Sequence, residues 1–186
     1  MLKTSFAAVT FAIAATSAFA DNHANENPMV GGAAMFANKN IVENAVNSAD
    51  HTTLVAAVQA AGLVETLQSE GPFTVFAPVN DAFAALPEGT VESLLLPENV
   101  DQLTTILTCH VVGASVMSDA IAGMIMDADG TYPVETLGGC ILQATMTDDM
   151  IQLTDENGTT ATVTIADVAQ SNGVIHVIDA VMTPAM

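Results

Sequence analysis

The chain has 186 residues, 51% of them hydrophobic, with 21 acidic residues against two basic ones and a formal net charge of −19. So much apolar surface excludes a disordered polymer. The lack of any lysine or arginine cluster excludes a binder of nucleic acid or of anionic lipid.

Residues 1–20 read as an export signal. Lys3 supplies the positive start, Phe6 to Ala15 the short apolar run, and Ala18-Phe19-Ala20 a cleavage site after Ala20. The run is too short to span a bilayer. The mature protein is expected to be secreted or periplasmic, without membrane insertion. Residues 21–37 read as a flexible tail, polar from Asp21 to Pro28 and loosened by Gly31-Gly32. Its apolar Met29, Val30, Met35 and Phe36 either dock on the domain or form a small partner patch. Residues 38–186 read as one domain, long enough for a sizeable core.

Helices come first. Ile41, Val42, Ala45 and Val46 make one short apolar face. Asp50 or Thr52 is placed to cap a second helix carrying Leu54, Val58 and Ala61, which Gly62 ends. The stretch from Gly71 to Phe83 then packs several signals together. Gly71-Pro72 is a turn pair, and Phe73 to Phe76 is β-branched or aromatic, as a buried strand requires. Pro78 is expected to end that strand, and Asn80 to cap the following helix with Ala82, Phe83 and Leu86 inward. Further helices are predicted over Thr90 to Leu96, from Val100 towards His110, and over Asp119 to Met126.

The last third alternates with period two. Cys140 to Thr147, Ile151 to Thr154 and Ala161 to Ile165 read as half-buried strands, joined at Thr147–Met150 and Asn157-Gly158. Gly173 to Met182 is apolar on both faces, which marks a strand covered on both sides. Helices followed by hairpins make the fold class α+β, with N-terminal helices packed on a mainly antiparallel sheet, as a wedge or sandwich.

Candidate chemistry is sparse. No two of His23, His51, His110 and His176 stand at metal-ligand spacing, and His110 and His176 sit in apolar segments that suit hydrogen-bonded core residues. Ser171, His176 and Asp179 fail as a triad, because His176 and Asp179 point to opposite faces of one strand. Asp127-Ala128-Asp129-Gly130 lacks the spacing of a calcium loop. Asn157-Gly158-Thr159 fits a glycosylation sequon but is more simply a turn. No cofactor and no resident metal are expected, and the protein is read as no enzyme. The acidic surface is either a solvated coat or a source of weak association with calcium or other cations. Cys109 and Cys140, at element ends of an exported chain, are expected to form a disulfide, the alternative being two buried thiols.

Thr74, Phe76, Pro78, Asn80, Ala82 and Phe83 resemble the leading motif of the fasciclin domain family. Gly173, Val174, Ile175, His176, Ile178 and Asp179 are similar to its closing motif, and Leu107 to Val112 to its Tyr-His segment, with Cys109 in place of the tyrosine. The resemblance runs from about Asn40 to Pro184 and implies a fasciclin-like fold. It also implies adhesion, through contact with a cell-surface or matrix protein or a polysaccharide. His110, Gly113 and Ser115 are then the candidate ligand-contacting residues, and Thr74, Phe76, Pro78, Asn80, Phe83, His176 and Asp179 the structural motif. Two other functions remain open: a secreted hydrolase of glycans or esters working through carboxylates, and a periplasmic stress or stability factor.

Overall fold

A computed structural model of the chain describes residues 27–185. The export signal, its cleavage site and the start of the tail lie outside them. The fold is built on two central strands, β3 (Phe73–Pro78) and β9 (Gly173–Ile178), which pair in parallel from Phe73 opposite Gly173 to Pro78 opposite Ile178. Pro78 therefore closes the strand from inside it. At the near end only glycine fits at 173, since a Cβ there would collide with the Phe73 carbonyl.

Each of these strands is buried on both faces, and the alternation sorts their side chains into two cores. Val75, Ala77, Ile175 and Val177 face one core, and Phe76 and Ile178 the other. Helices fill the first core. They are α1 (Ile41–Ala45), α2 (Thr52–Ala60), α3 (Val64–Gln68), α4 (Asn80–Ala84), α5 (Thr90–Leu94) and α6 (Val100–Thr108). Leu54, Val58, Phe83, Leu103, Ile106 and Leu107 supply their buried faces. The second core is a sheet folded under a single helix, α7 (Ser118–Asp127), which contributes Ile121 and Ile125.

The remaining strands are β4 (Val111–Val112), β5 (Thr131–Glu135), β6 (Ile141–Thr147), β7 (Met150–Thr154) and β8 (Thr160–Gln170). They extend the central pair into one sheet of order β4-β3-β9-β8-β7-β6-β5, in which every pairing except β3–β9 is antiparallel. Leu142, Ala144, Ile151, Leu153 and Ala161 face inward, as their period-two pattern demands. The β6–β7 turn carries Asp148 and Asp149 at φ of 51° and 64°, the paired left-handed conformation of a tight hairpin. The α+β class expected from the sequence, with N-terminal helices packed on a mainly antiparallel sheet, is present.

The sheet curls until its outer strands meet. The Leu137 N–H donates to the Val111 carbonyl at 2.8 Å, and the Gly138 N–H to the Thr108 carbonyl at 3.0 Å. The Cys109–Cys140 disulfide closes the same seam, with Cα atoms 5.3 Å apart and both residues buried. Glycine is required at 138, where a Cβ would stand 2.7 Å from the Cys109 nitrogen.

Two sequence expectations are corrected. Asn80 does not cap its own helix, whose N-cap is Val79. Its Oδ1 instead accepts from the Thr53 N–H at 3.0 Å and the Thr52 hydroxyl at 3.1 Å, while its Nδ2 donates to the Ala49 carbonyl at 2.8 Å. Asn80 thus caps α2 across space, a role for which Asp50 and Thr52 were the local candidates. The segment read as a flexible tail is, from residue 28 onward, a small hairpin of β1 (Met29–Val30) and β2 (Ala33–Ala34). Val30 and Met35 are buried in the helical core. Buried Asn44 fixes this segment, accepting from the Phe36 N–H at 3.0 Å and donating to the Phe36 carbonyl at 2.8 Å.

Two measurements test these assignments. Asn80→Ala is expected to lower stability by about 1–2 kcal/mol in urea unfolding, the cost of a lost helix cap, whereas exposed Asp81→Ala is expected to change it little. Reducing the disulfide, which spans 31 residues, is expected to cost about 3–4 kcal/mol. Thiol titration of the oxidised, denatured chain is expected to find no free cysteine.

Candidate functional site

Residues 113–117, between β4 and α7, form an exposed loop whose backbone is held from beneath by motif side chains. The Thr74 hydroxyl donates to the Ala114 carbonyl at 2.6 Å and accepts from the Val116 N–H at 2.8 Å. His176 Nε2 donates to the Val116 carbonyl at 2.9 Å, and its Nδ1 accepts from the Asp167 N–H at 3.3 Å. Both partners fix the ring as the neutral Nε2–H tautomer. Asp167 sits in the bulged part of β8 at φ 59° and accepts from the Ser118 N–H at 2.6 Å and from the Ser118 hydroxyl, at the first turn of α7. A carboxylate is favoured there by the helix dipole. The loop is therefore tied at three consecutive places while Gly113, Ala114, Ser115 and Met117 stay exposed.

Below the loop lies a cleft of about 570 Å³ between β3, α7 and β5. Phe76, Val116, Ile121 and Met124 make its apolar wall, and Tyr132 and Glu135 bring polar groups. Phe76 stacks on His176 with ring centroids 5.7 Å apart, so the imidazole is packed as well as hydrogen-bonded.

The candidate ligand-contacting residues divide. Gly113 and Ser115 are exposed on the loop. His110 is buried at 2% exposure, and both its nitrogens are engaged. Nε2 accepts from the Met182 N–H at 3.0 Å, which leaves Nδ1–H to donate to the Ile106 carbonyl at 2.8 Å. A partner at the surface cannot reach it, so His110 is corrected from a contact residue to a brace between α6 and the C-terminal segment. Burial drives its pKa down to about 4, against smaller opposing effects from the Ile106 carbonyl and the Asp155 charge. Desolvation likewise lowers His51, whose Nε2 faces the Ala77 carbonyl and whose Nδ1 faces the Ser48 hydroxyl, and His176.

The remaining motif residues act on backbone. Asp179 Oδ1 accepts from the Thr162 N–H at 2.6 Å, so neither it nor His176 is oriented towards Ser171 as a triad would require. Asn157 spends its side-chain amide on the Thr183 and Pro184 carbonyls, both at 3.0 Å, which supports the turn reading over the sequon. Among the described residues no three His, Cys, Asp or Glu side chains converge as a metal site, and no helix is long and apolar enough to cross a membrane. Sequence reasoning missed Asp155. Its buried carboxylate accepts from the Asn157, Thr159 and Thr183 N–H groups at 2.8–2.9 Å and so pins the end of the chain. The only sequence signal was an acid two residues before a hairpin's Asn-Gly.

The sequence model of the fasciclin domain matches residues 49–184. A protein named sll1483 from Synechocystis sp. is 52% identical over 146 residues, covering 78% of this chain and 74% of its own. The transforming growth factor-beta-induced protein ig-h3 of Sus scrofa is 37% identical over 131 residues, 70% of this chain but 17% of that protein. The immunogenic protein MPB70 of Mycobacterium bovis is 34% identical over 145 residues, 75% of this chain and 66% of its own. Among solved structures, a FAS1 domain pair from the insect cell adhesion molecule fasciclin I aligns with a TM-score of 0.55 and 25% identity, covering 68% of this chain and 42% of that one.

The neutral imidazoles set a pH dependence. His110 has a folded pKa below its unfolded value of 6.5, so the unfolded chain binds the extra proton between the two. The stability this neutrality provides is complete above pH 6.5 and is lost as pH falls towards 4. Urea unfolding from pH 7 to 4 is expected to show stability falling by up to about 1.4 kcal/mol per pH unit from His110 alone. His110→Gln is expected to flatten that slope.

Proposed function

Because the chain belongs to the fasciclin domain family, we propose that it is an exported, non-catalytic recognition module that contacts a cell-surface or matrix protein or a polysaccharide through residues 113–117. The observation that carries this reading is the anchoring of that loop's backbone by Thr74 and His176, with Gly113, Ala114, Ser115 and Met117 left exposed. A loop fixed before it meets a partner avoids most of the ordering entropy of binding, and recognition commonly sits on loops carried by a rigid scaffold. Kinship with an insect cell adhesion molecule supports an adhesion-type role. The export signal read in residues 1–20 supports a periplasmic or extracellular place of work. Contact through so small a surface is weak per copy and gains from many copies on one cell.

The test is cell attachment. Deleting the gene is expected to lower attachment of its cells to a surface or matrix, and adding back the wild-type chain to restore it. Ser115→Trp changes the exposed loop and touches no anchor, so a variant with an unaltered circular dichroism spectrum is expected to restore attachment only in part. Attachment unchanged by the deletion across several surfaces overturns the adhesion reading.

A further inference from the structure

A second groove, of about 530 Å³, opens on the helical side between α4, α5, α6 and the end of the chain. It shares no lining residue with the cleft under the loop. Its floor and walls are Phe83, Leu86, Leu94, Leu103, Ile106 and Val181, and its polar lining includes Thr90, Gln102, Thr105 and Thr183. None of the fifteen residues lining it is an aspartate, glutamate, lysine or arginine, although the chain carries 21 acids. His110, at the inner end, is held neutral by burial, with its Nε2 accepting from the Met182 N–H and its Nδ1–H donating to the Ile106 carbonyl. The far wall is fixed too, because Asp155 holds Thr183 and Asn157 holds Thr183 and Pro184.

We propose that this groove binds an uncharged lipid-like molecule, such as a long-chain alcohol or isoprenoid, with its chain between α4 and α6 and a hydroxyl or carbonyl head among the threonines. Volume, apolar lining and a few polar groups match the general form of small-molecule sites, which span roughly 300–1,000 Å³. Charge selects within that class. The groove offers no cation to a carboxylate or phosphate head, and the field of a chain with net charge −19 opposes any anion entering it. An uncharged head meets neither penalty.

The experiment uses the exported chain with the neutral dye Nile red as reporter and dodecanol or dodecanoate as competitor. Dodecanol is expected to displace the dye, with dodecanoate about tenfold weaker or worse. Thr105→Trp, which places a large side chain at an exposed position on the groove wall, is expected to abolish dodecanol binding. Ser115→Trp, outside the groove, is expected to leave it unchanged. Thr90→Lys supplies a cation and is expected to raise dodecanoate affinity without affecting dodecanol. Circular dichroism and thermal melts establish that each variant is folded. Failure of dodecanol to displace the dye, or displacement that survives folded Thr105→Trp, overturns the proposal. Self-association abolished by Thr105→Trp, in a chain that dodecanol does not occupy, assigns the groove to a second copy and overturns it equally.

Discussion

The parallel ladder between β3 and β9 is the constraint on which the rest depends. It joins Phe73 to Gly173 and Pro78 to Ile178, residues a hundred positions apart. Until it forms, neither strand has a partner for its inner ladder, and neither core has a floor. Once formed, its alternation sends Val75, Ala77, Ile175 and Val177 to the helices and Phe76 and Ile178 to the curled sheet. Chain-closure entropy makes such distant parallel pairing costly. Burial of both faces along five of the six residues of each strand offsets that cost.

The polar motif residues near this ladder serve the backbone rather than a ligand. Thr74 and His176 hold the loop at 114–116, His110 holds Met182, Asn80 holds the start of α2, and Asp179 holds Thr162. Each is a side chain satisfying a main-chain group, and removing one of the buried ones, Thr74, His110 or His176, leaves that group unpaired. The anchors fix where the loop stands, while Gly113, Ala114, Ser115 and Met117 stay exposed on it.

Charge is distributed with the same economy. The buried Asp155 faces several N–H donors, while both the cleft under the loop and the helical groove are mainly apolar inside. A protein with net charge −19 thus presents two recesses of low charge density beneath an acidic surface.

The sequence alone was sufficient for whatever depends on local pattern. The α+β class followed from helical periodicity giving way to alternation. The central strands followed from apolar runs covered on both sides, and the β6–β7 hairpin from Thr147 to Met150 with its two aspartates. Those signals are short-range, so composition and spacing carry them. The disulfide was legible from two cysteines at element ends, but the seam it closes was not. Partner choice across space was hidden. Asn80 resembles a cap because it precedes a helix, yet the donors it meets are on α2, brought there by packing. His110 resembles a contact residue by its place in a motif, yet the fold surrounds it and gives both nitrogens to backbone. The hairpin at 29–34 reads as tail because its polar and glycine-rich surroundings dominate the local signal, and only the helical core supplies the surface that buries Val30 and Met35. Local propensity is written residue by residue, whereas these contacts exist only after distant segments have met, and so the tertiary structure decided them.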